Sequence, residues 1–193
     1  MLSIRVAAAA IVGVYALQAE IPATPRPAPE FTIKYADGNQ VPLSSFKGKV
    51  VALSFIFTTC VHCQHASQAF SKLYTEYGPR GFQPVGVAIN DMANLFVEDF
   101  MKNFNINYKV GYSPLDPVLD FLGISRVERY VVPQIVWIDR KGMIRSQTSP
   151  VTGDEQMRTE PYWRNMIETL LKEPAESTKK HSTTHTSAAK KSS

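Results

Sequence analysis

Cys60 and Cys63 are the only cysteines of this 193-residue chain, and Val61 and His62 separate them. A thiolate is a strong nucleophile, and a second thiol one helical turn away can close a disulfide onto it. This spacing is therefore a place where a disulfide can open and close. The apolar run 49–57 before the pair reads as a strand covered on both faces. The stretch after it reads as a helix, so Cys60 falls at a helix start. There the unpaired N–H groups of the first turn favour negative charge. His62 lies between the sulfurs and can donate a hydrogen bond or carry a positive charge beside them. Cys60 is thus expected to attack. Cys63, one turn in and less exposed, is expected to resolve the mixed disulfide. Stabilising the thiolate stabilises the reduced form and makes the disulfide a stronger oxidant. A purely structural bridge over so short a loop would gain little chain entropy.

Other chemistries of the same residues can be weighed within the chain. A c-type haem attachment needs His directly after the second Cys, where this chain has Gln64. A structural zinc site wants four ligands, and one turn of helix cannot wrap Cys60, His62, Cys63 and His65 around a metal. A soft Cu(I) site from two sulfurs and a histidine is chemically possible. The remaining histidines, His181 and His185, lie near the C-terminus and read as solvated or weak metal binders. No metal and no cofactor beyond a Cys60–Cys63 disulfide is expected.

Hydrophobic residues make up 44% of the chain, enough for a core without disulfide staples. The net charge of +4 is uneven, since residues 172–193 carry five Lys and two Glu. The body is near neutral, so no nucleic-acid partner is expected. At the N-terminus Arg5 precedes an apolar run, 6–17, with Ala16 and Ala19 at its end. This is the layout of a signal peptide, and it is shorter than the roughly 20 residues of a membrane span. An uncleaved membrane anchor is the alternative. The chain divides into an export signal or anchor (1–19), a Pro-rich linker (20–30), one domain (31–171) and a disordered basic tail (172–193). Export to the bacterial periplasm, or another extracytoplasmic site, is expected. Nothing in the sequence calls for an oligomer, so a monomer is expected.

Within the domain, 31–35 alternates in polarity and Asp37-Gly38 turns it into a hairpin. Residues 60–77 space Ala66, Ala69, Phe70, Leu73 and Tyr77 at helical intervals until Gly78-Pro79. Residues 82–89 form a second apolar strand, giving a parallel right-handed strand–helix–strand unit. Helix 92–104 is expected to bury Leu95, Phe96, Phe100 and Phe104 on one face. A short extended piece (108–112), a short helix (115–122), a core strand (135–138), a hairpin turn at 139–142, a strand (143–147) and an amphipathic helix (160–171) complete the α/β order.

This order resembles the thioredoxin-like family, specifically the exported TlpA/ResA-like thiol–disulfide oxidoreductases. Four stretches carry the likeness. The first is Val50-Val51-Ala52-Leu53-Ser54-Phe55 leading to Cys60-Val61-His62-Cys63. The second is the strand Phe82-Gln83-Pro84-Val85-Gly86-Val87-Ala88-Ile89. The third is the helical segment after it, which looks like the family's central insertion. The fourth is Val131-Val132-Pro133-Gln134-Ile135-Val136-Trp137-Ile138 with the turn that follows. The resemblance implies a central mixed β-sheet flanked by helices, with an N-terminal β-hairpin. It implies a redox enzyme acting on protein thiols and disulfides and recycled by a membrane-bound or exported redox partner. It further implies that Pro133 is a cis-proline beside the pair and that the backbone of Val132 pairs with bound substrate.

The chain departs from the family at three positions. Thr59 stands where Trp usually precedes the first Cys, Ser54 stands where thioredoxin buries an acid, and Ala66 stands where some ResA-like members have Glu. Asp91 and Glu98 are the candidates left to move the proton at Cys63. The architecture resembles reductases, whereas His62 and Val132 are similar to the oxidising DsbA-like proteins. Two further families share features. The junction Phe57-Thr58-Thr59-Cys60 looks like that of Sco-like copper proteins, which have three residues between their cysteines and a distant histidine. Thiol peroxidases have Thr three and Pro seven positions before the nucleophile, where this chain has Phe57 and Leu53.

Overall fold

The structure, a computed structural model, describes residues 24–174. The expected export signal and nearly all of the basic tail lie outside the described residues. Its centre is strand β4 (Val50–Ile56), every residue of which is buried. Val50, Ala52 and Ile56 face one side of the sheet, and Val51, Leu53 and Phe55 face the other. A strand apolar at consecutive positions has no solvent face, so it needs neighbours on both edges and layers on both sides. It pairs in parallel with β5 (Phe82–Ala88) and antiparallel with β7 (Gln134–Ile138).

The remaining strands are β1 (Arg26–Pro27), β2 (Thr32–Lys34), β3 (Gln40–Pro42), β6 (Val110–Tyr112) and β8 (Met143–Gln147). They complete one mixed eight-stranded sheet in the order β1-β8-β7-β4-β5-β6-β2-β3. On one face lie α1 (Val61–Tyr77), α2 (Ala93–Asn103) and α4 (Glu160–Lys172), whose Phe70, Leu73, Val97, Phe100, Trp163 and Ile167 pack on Trp137 and the even residues of β4. The other face is covered by α3 (Leu115–Leu122) and by Phe31 and Ile33 of the N-terminal hairpin. Phe31, Phe55 and Phe121 meet edge to face at 5.5 to 5.7 Å, a geometry that adds to their burial.

Two local choices explain how the strands fit. Pro84 sits inside β5, where a missing N–H should break a ladder. It is tolerated because β6 pairs only with Gly86, Val87 and Ala88, leaving Pro84 with β4 as its one neighbour. Gly111 lies where β2 crosses close to β6, and a Cβ there would sit 2.6 Å from the Lys34 carbonyl oxygen.

The structure departs from the sequence reading in two places. Residues 24–30, read as part of a linker, are tied to the sheet. Arg26 and Pro27 pair with Ile144 and Met143, and the Ala28 N–H donates to the Gly142 carbonyl at 2.9 Å. An edge strand asks for few donors, so proline is compatible with it. Helix α2 buries Phe100 as expected and packs Phe104 partly buried against the same core, but the rest of its stripe differs from the one expected. Ala93, Val97 and Phe100 are buried, whereas Leu95 is 64% exposed and Phe96 44% exposed. Three consecutive apolar residues, Leu95 to Val97, fit two helical faces, and the position of the sheet selects the one carrying Val97.

Candidate active site

Strand β4 delivers the chain to the pair through the tight turn 57–59. The Cys60 N–H donates to the Phe57 carbonyl at 3.1 Å, and the Gln64 N–H closes the first helical turn on the Cys60 carbonyl at 3.0 Å. Cys60 is the N-cap residue, in extended backbone (φ −82°, ψ 120°). Its sulfur therefore stands at the end of α1, where the helix leaves N–H groups unpaired. Remote side chains hold the turn. Asn90, just after β5, accepts from the Thr58 N–H at 3.0 Å and from its hydroxyl at 3.3 Å, and the Gln64 amide donates to the Thr58 carbonyl at 3.1 Å. Asn90 escaped the sequence reading, and Gln64 served there only to exclude haem.

Cys60 and Cys63 are both free thiols here, Cys60 half-buried and Cys63 without exposed surface. The Cys60 Sγ lies 3.9 Å from the Val132 carbonyl oxygen, a weak S–H donor contact. The Val132–Pro133 peptide is cis. The segment around it is pinned from several sides. The Val131 N–H donates to the Pro150 carbonyl at 2.8 Å, and the buried Gln134 amide donates to the Val131 carbonyl at 2.7 Å. Thr148 bridges Gln134 and Ile135 through its hydroxyl. An Arg158 guanidinium nitrogen donates to the Pro133 carbonyl at 3.3 Å. None of Gln134, Thr148 and Arg158 carried a local sequence signal, because their partners come from other elements.

The structure brings Cys60, Cys63, Val132 and Pro133 together. His62 is exposed in the first turn of α1, and its imidazole makes no hydrogen bond among the described residues. Thr59 is exposed, Ala66 is buried, and the Ser54 hydroxyl donates to the Val85 carbonyl at 3.4 Å. Asp91 and Glu98 are exposed, and neither side chain is hydrogen-bonded to the pair among the described residues. Also among the described residues, no three His, Cys, Asp or Glu side chains gather as metal ligands. His181 and His185 lie outside them.

Burial pushes the Cys63 thiol well above the ordinary thiol range, and its hydrogen bond with Cys60 adds to the rise. The Phe57 backbone and the Arg158 cation act in the opposite direction. This has a consequence for stability. The unfolded chain ionises the thiol at about pH 8.5, while the folded chain keeps its proton. The contribution of the protonated thiol is whole below that pH and is lost as pH rises above it, because the unfolded state then binds fewer protons. Urea unfolding of the reduced protein is expected to show a lower midpoint at about pH 10 than at about pH 7, with a smaller drop in Cys63→Ala. Drops of equal size in both proteins would assign the effect to other groups.

A family model described as AhpC/TSA family matches residues 25–147. The thiol-disulfide oxidoreductase ResA of Bacillus thuringiensis subsp. konkukian is 24% identical over 130 residues, which span 67% of this chain and 72% of that protein. ResA of Bacillus subtilis is 30% identical over 98 residues, 51% of this chain and 54% of that one. Among solved structures, a thiol:disulfide interchange protein of the thioredoxin family from Chlorobium tepidum superposes with a TM-score of 0.64 at 25% identity, covering 78% of this chain and 99% of that chain.

Proposed function

The chain belongs to the AhpC/TSA family and is a thioredoxin-like thiol–disulfide oxidoreductase, and we propose that it exchanges disulfides with other proteins, outside the cytoplasm, through Cys60 and Cys63. The observation that carries this reading is the asymmetry of the pair. Cys60 is reachable at a helix N-terminus beside the Val132 carbonyl, and Cys63 is shut in behind it.

In the reducing direction the Cys60 thiolate attacks one sulfur of a substrate disulfide. A bond forms between Cys60 and that sulfur, the substrate S–S bond breaks, and the other substrate sulfur leaves as a thiolate. Cys63 then gives up its proton to solvent and attacks the Cys60 sulfur. The Cys60–Cys63 disulfide closes, and the second substrate thiolate departs and takes up a proton. Two electrons have passed to the substrate, and an external dithiol must return them. The oxidising direction is the same sequence reversed. Val132 would align an extended substrate segment through its backbone, Pro133 would keep the neighbouring surface free of a competing N–H, and His62 would favour the Cys60 thiolate. No cofactor beyond the disulfide is called for.

The copper reading lacks a third ligand near the two sulfurs among the described residues. The peroxidase reading lacks its proline and threonine, since Leu53 is a core residue and Phe57 is half-buried. Export rests on the apolar run 6–17, outside the described residues; no helix among the described residues is long and apolar enough to cross a membrane.

Equilibration of the full chain with glutathione buffers tests the proposal. A reversible two-electron couple is expected, with one disulfide gained or lost per molecule. A pair that no dithiol reduces, or that never forms a disulfide, would sink it.

A further inference from the structure

Arg158 ends the short 3-10 turn Glu155–Arg158 that leads into α4. One of its nitrogens donates to the Pro133 carbonyl at 3.3 Å, and its Nε is buried without a hydrogen-bond partner. Among the described residues no carboxylate pairs with it. Asp154 is occupied by the Ser149 N–H at 2.8 Å and the Thr152 hydroxyl at 3.2 Å, and Glu155 is exposed and forms no ion pair among the described residues. Glu160 pairs with Arg164 instead. The loop is shaped around this cation. Gly153 has φ +69°, and a Cβ there would lie 2.7 Å from the Arg158 Cζ. A half-buried guanidinium without a counter-ion is unfavourable unless something nearby becomes negative.

We propose that Arg158 is a positioning residue of the thiol–disulfide reaction, which ties the Pro133 loop to the turn before α4 and supplies the positive charge that favours the Cys63 thiolate in the resolving step. This rests on the reading of Cys60–Cys63 as the redox centre. It answers the problem left by Ser54 and Ala66, which leave no carboxylate to help Cys63 ionise. The charge acts on Cys63 in the direction required, offsetting part of its burial. A cation does not carry the proton away. It lowers the energy of the thiolate once solvent has taken the proton, and the thiolate then attacks the Cys60 sulfur as the substrate thiolate leaves.

The test uses two variants of the full chain. Arg158→Gln keeps a donor for the Pro133 carbonyl and removes the charge, and Arg158→Lys keeps the charge. Reduced protein is mixed with an aromatic disulfide whose thiol is coloured, so that the first equivalent released reports attack by Cys60 and the second reports resolution by Cys63. In Arg158→Gln the second phase is expected to slow about tenfold, the effect of one unit in thiol acidity, with the first phase little changed. Its disulfide, equilibrated with glutathione near neutral pH, should keep the wild-type potential, because Cys63 is protonated in the resting reduced protein with or without the charge. Arg158→Lys should stay within about threefold of wild type in both readouts. A Gln variant with a wild-type second phase overturns the proposal, and so do Gln and Lys variants that slow equally, because hydrogen-bond geometry would then be the cause. A wild-type pair that exchanges with nothing sinks the oxidoreductase reading itself. A working wild type with indifferent Arg158 variants sinks only the role of Arg158.

Discussion

Cys63→Ala is expected to stop turnover and to leave the protein covalently bound to its substrates. Cys63 is fully enclosed and its thiol meets the Cys60 thiol, so a bulky protein disulfide cannot reach it directly. Cys60, half-buried at the helix end beside the Val132 carbonyl, can be reached. Removing Cys63 therefore spares the first displacement and removes the second. Incubation with a disulfide-bonded protein should accumulate one adduct per molecule, released by a small dithiol and visible by intact mass and non-reducing electrophoresis. Steady-state exchange should fall on the order of a thousandfold or more, the scale seen when one member of a nucleophilic unit is deleted. Cys60→Ala should lose turnover to the same extent but form no adduct. Loss of one sulfur from the core costs about 1 kcal/mol, so the trapped protein remains folded at room temperature. Wild-type turnover in Cys63→Ala, or adducts through Cys63 in Cys60→Ala, would reverse the assigned order. The identity of the trapped proteins would also show which way electrons run.

The parts of this site that could be read from the sequence are those whose physics is local. The β4 run is apolar at consecutive positions and can only be a central strand. The stripe Cys63, Ala66, Phe70, Leu73, Tyr77 repeats at three and four residues, so α1 had to start near Cys60 with Cys63 facing inward. What escaped depends on distant chain. Asn90 grips Thr58 across 32 residues and Arg158 grips Pro133 across 25. Nothing in an isolated Asn or Arg announces a partner so far away. Part of the stripe on α2, beside Phe100 and Phe104, escaped for another reason. Leu95, Phe96 and Val97 allow two faces, and only the sheet beneath them decides between them. The N-terminal prolines suggested an unattached linker, yet pairing at a sheet edge needs so few donors that Arg26 and Pro27 meet the requirement.

Phe70→Ala is expected to be the most damaging single truncation of the helix that carries the pair. Phe70 has no exposed surface, stacks on Trp163 at 4.5 Å with 25° between the rings, and meets Trp137 edge-on at 6.1 Å. It thus joins α1 to α4 and to β7 at one point. Truncating such a ring removes its transfer free energy and leaves a cavity between two rigid indoles that cannot collapse into it, a loss of about 3–5 kcal/mol. For a domain of this size that lowers the melting midpoint by about 10 °C. Urea midpoints should fall with an unchanged slope, since the surface exposed on unfolding hardly differs. Phe70→Leu, which refills most of the volume, should cost no more than about 1.5 kcal/mol. The damage should also spread toward the chemistry. Trp163 donates its ring N–H to the Met157 carbonyl at 2.8 Å, one residue before Arg158, so a Trp163 ring free to shift loosens the turn that aims the cation. In the folded Phe70→Ala protein the resolving phase should therefore slow while the attacking phase is retained. A loss under about 1 kcal/mol would show that α1 is held chiefly by other contacts. Equal slowing of both phases would show that the stack supports Cys60 as much as it supports Arg158.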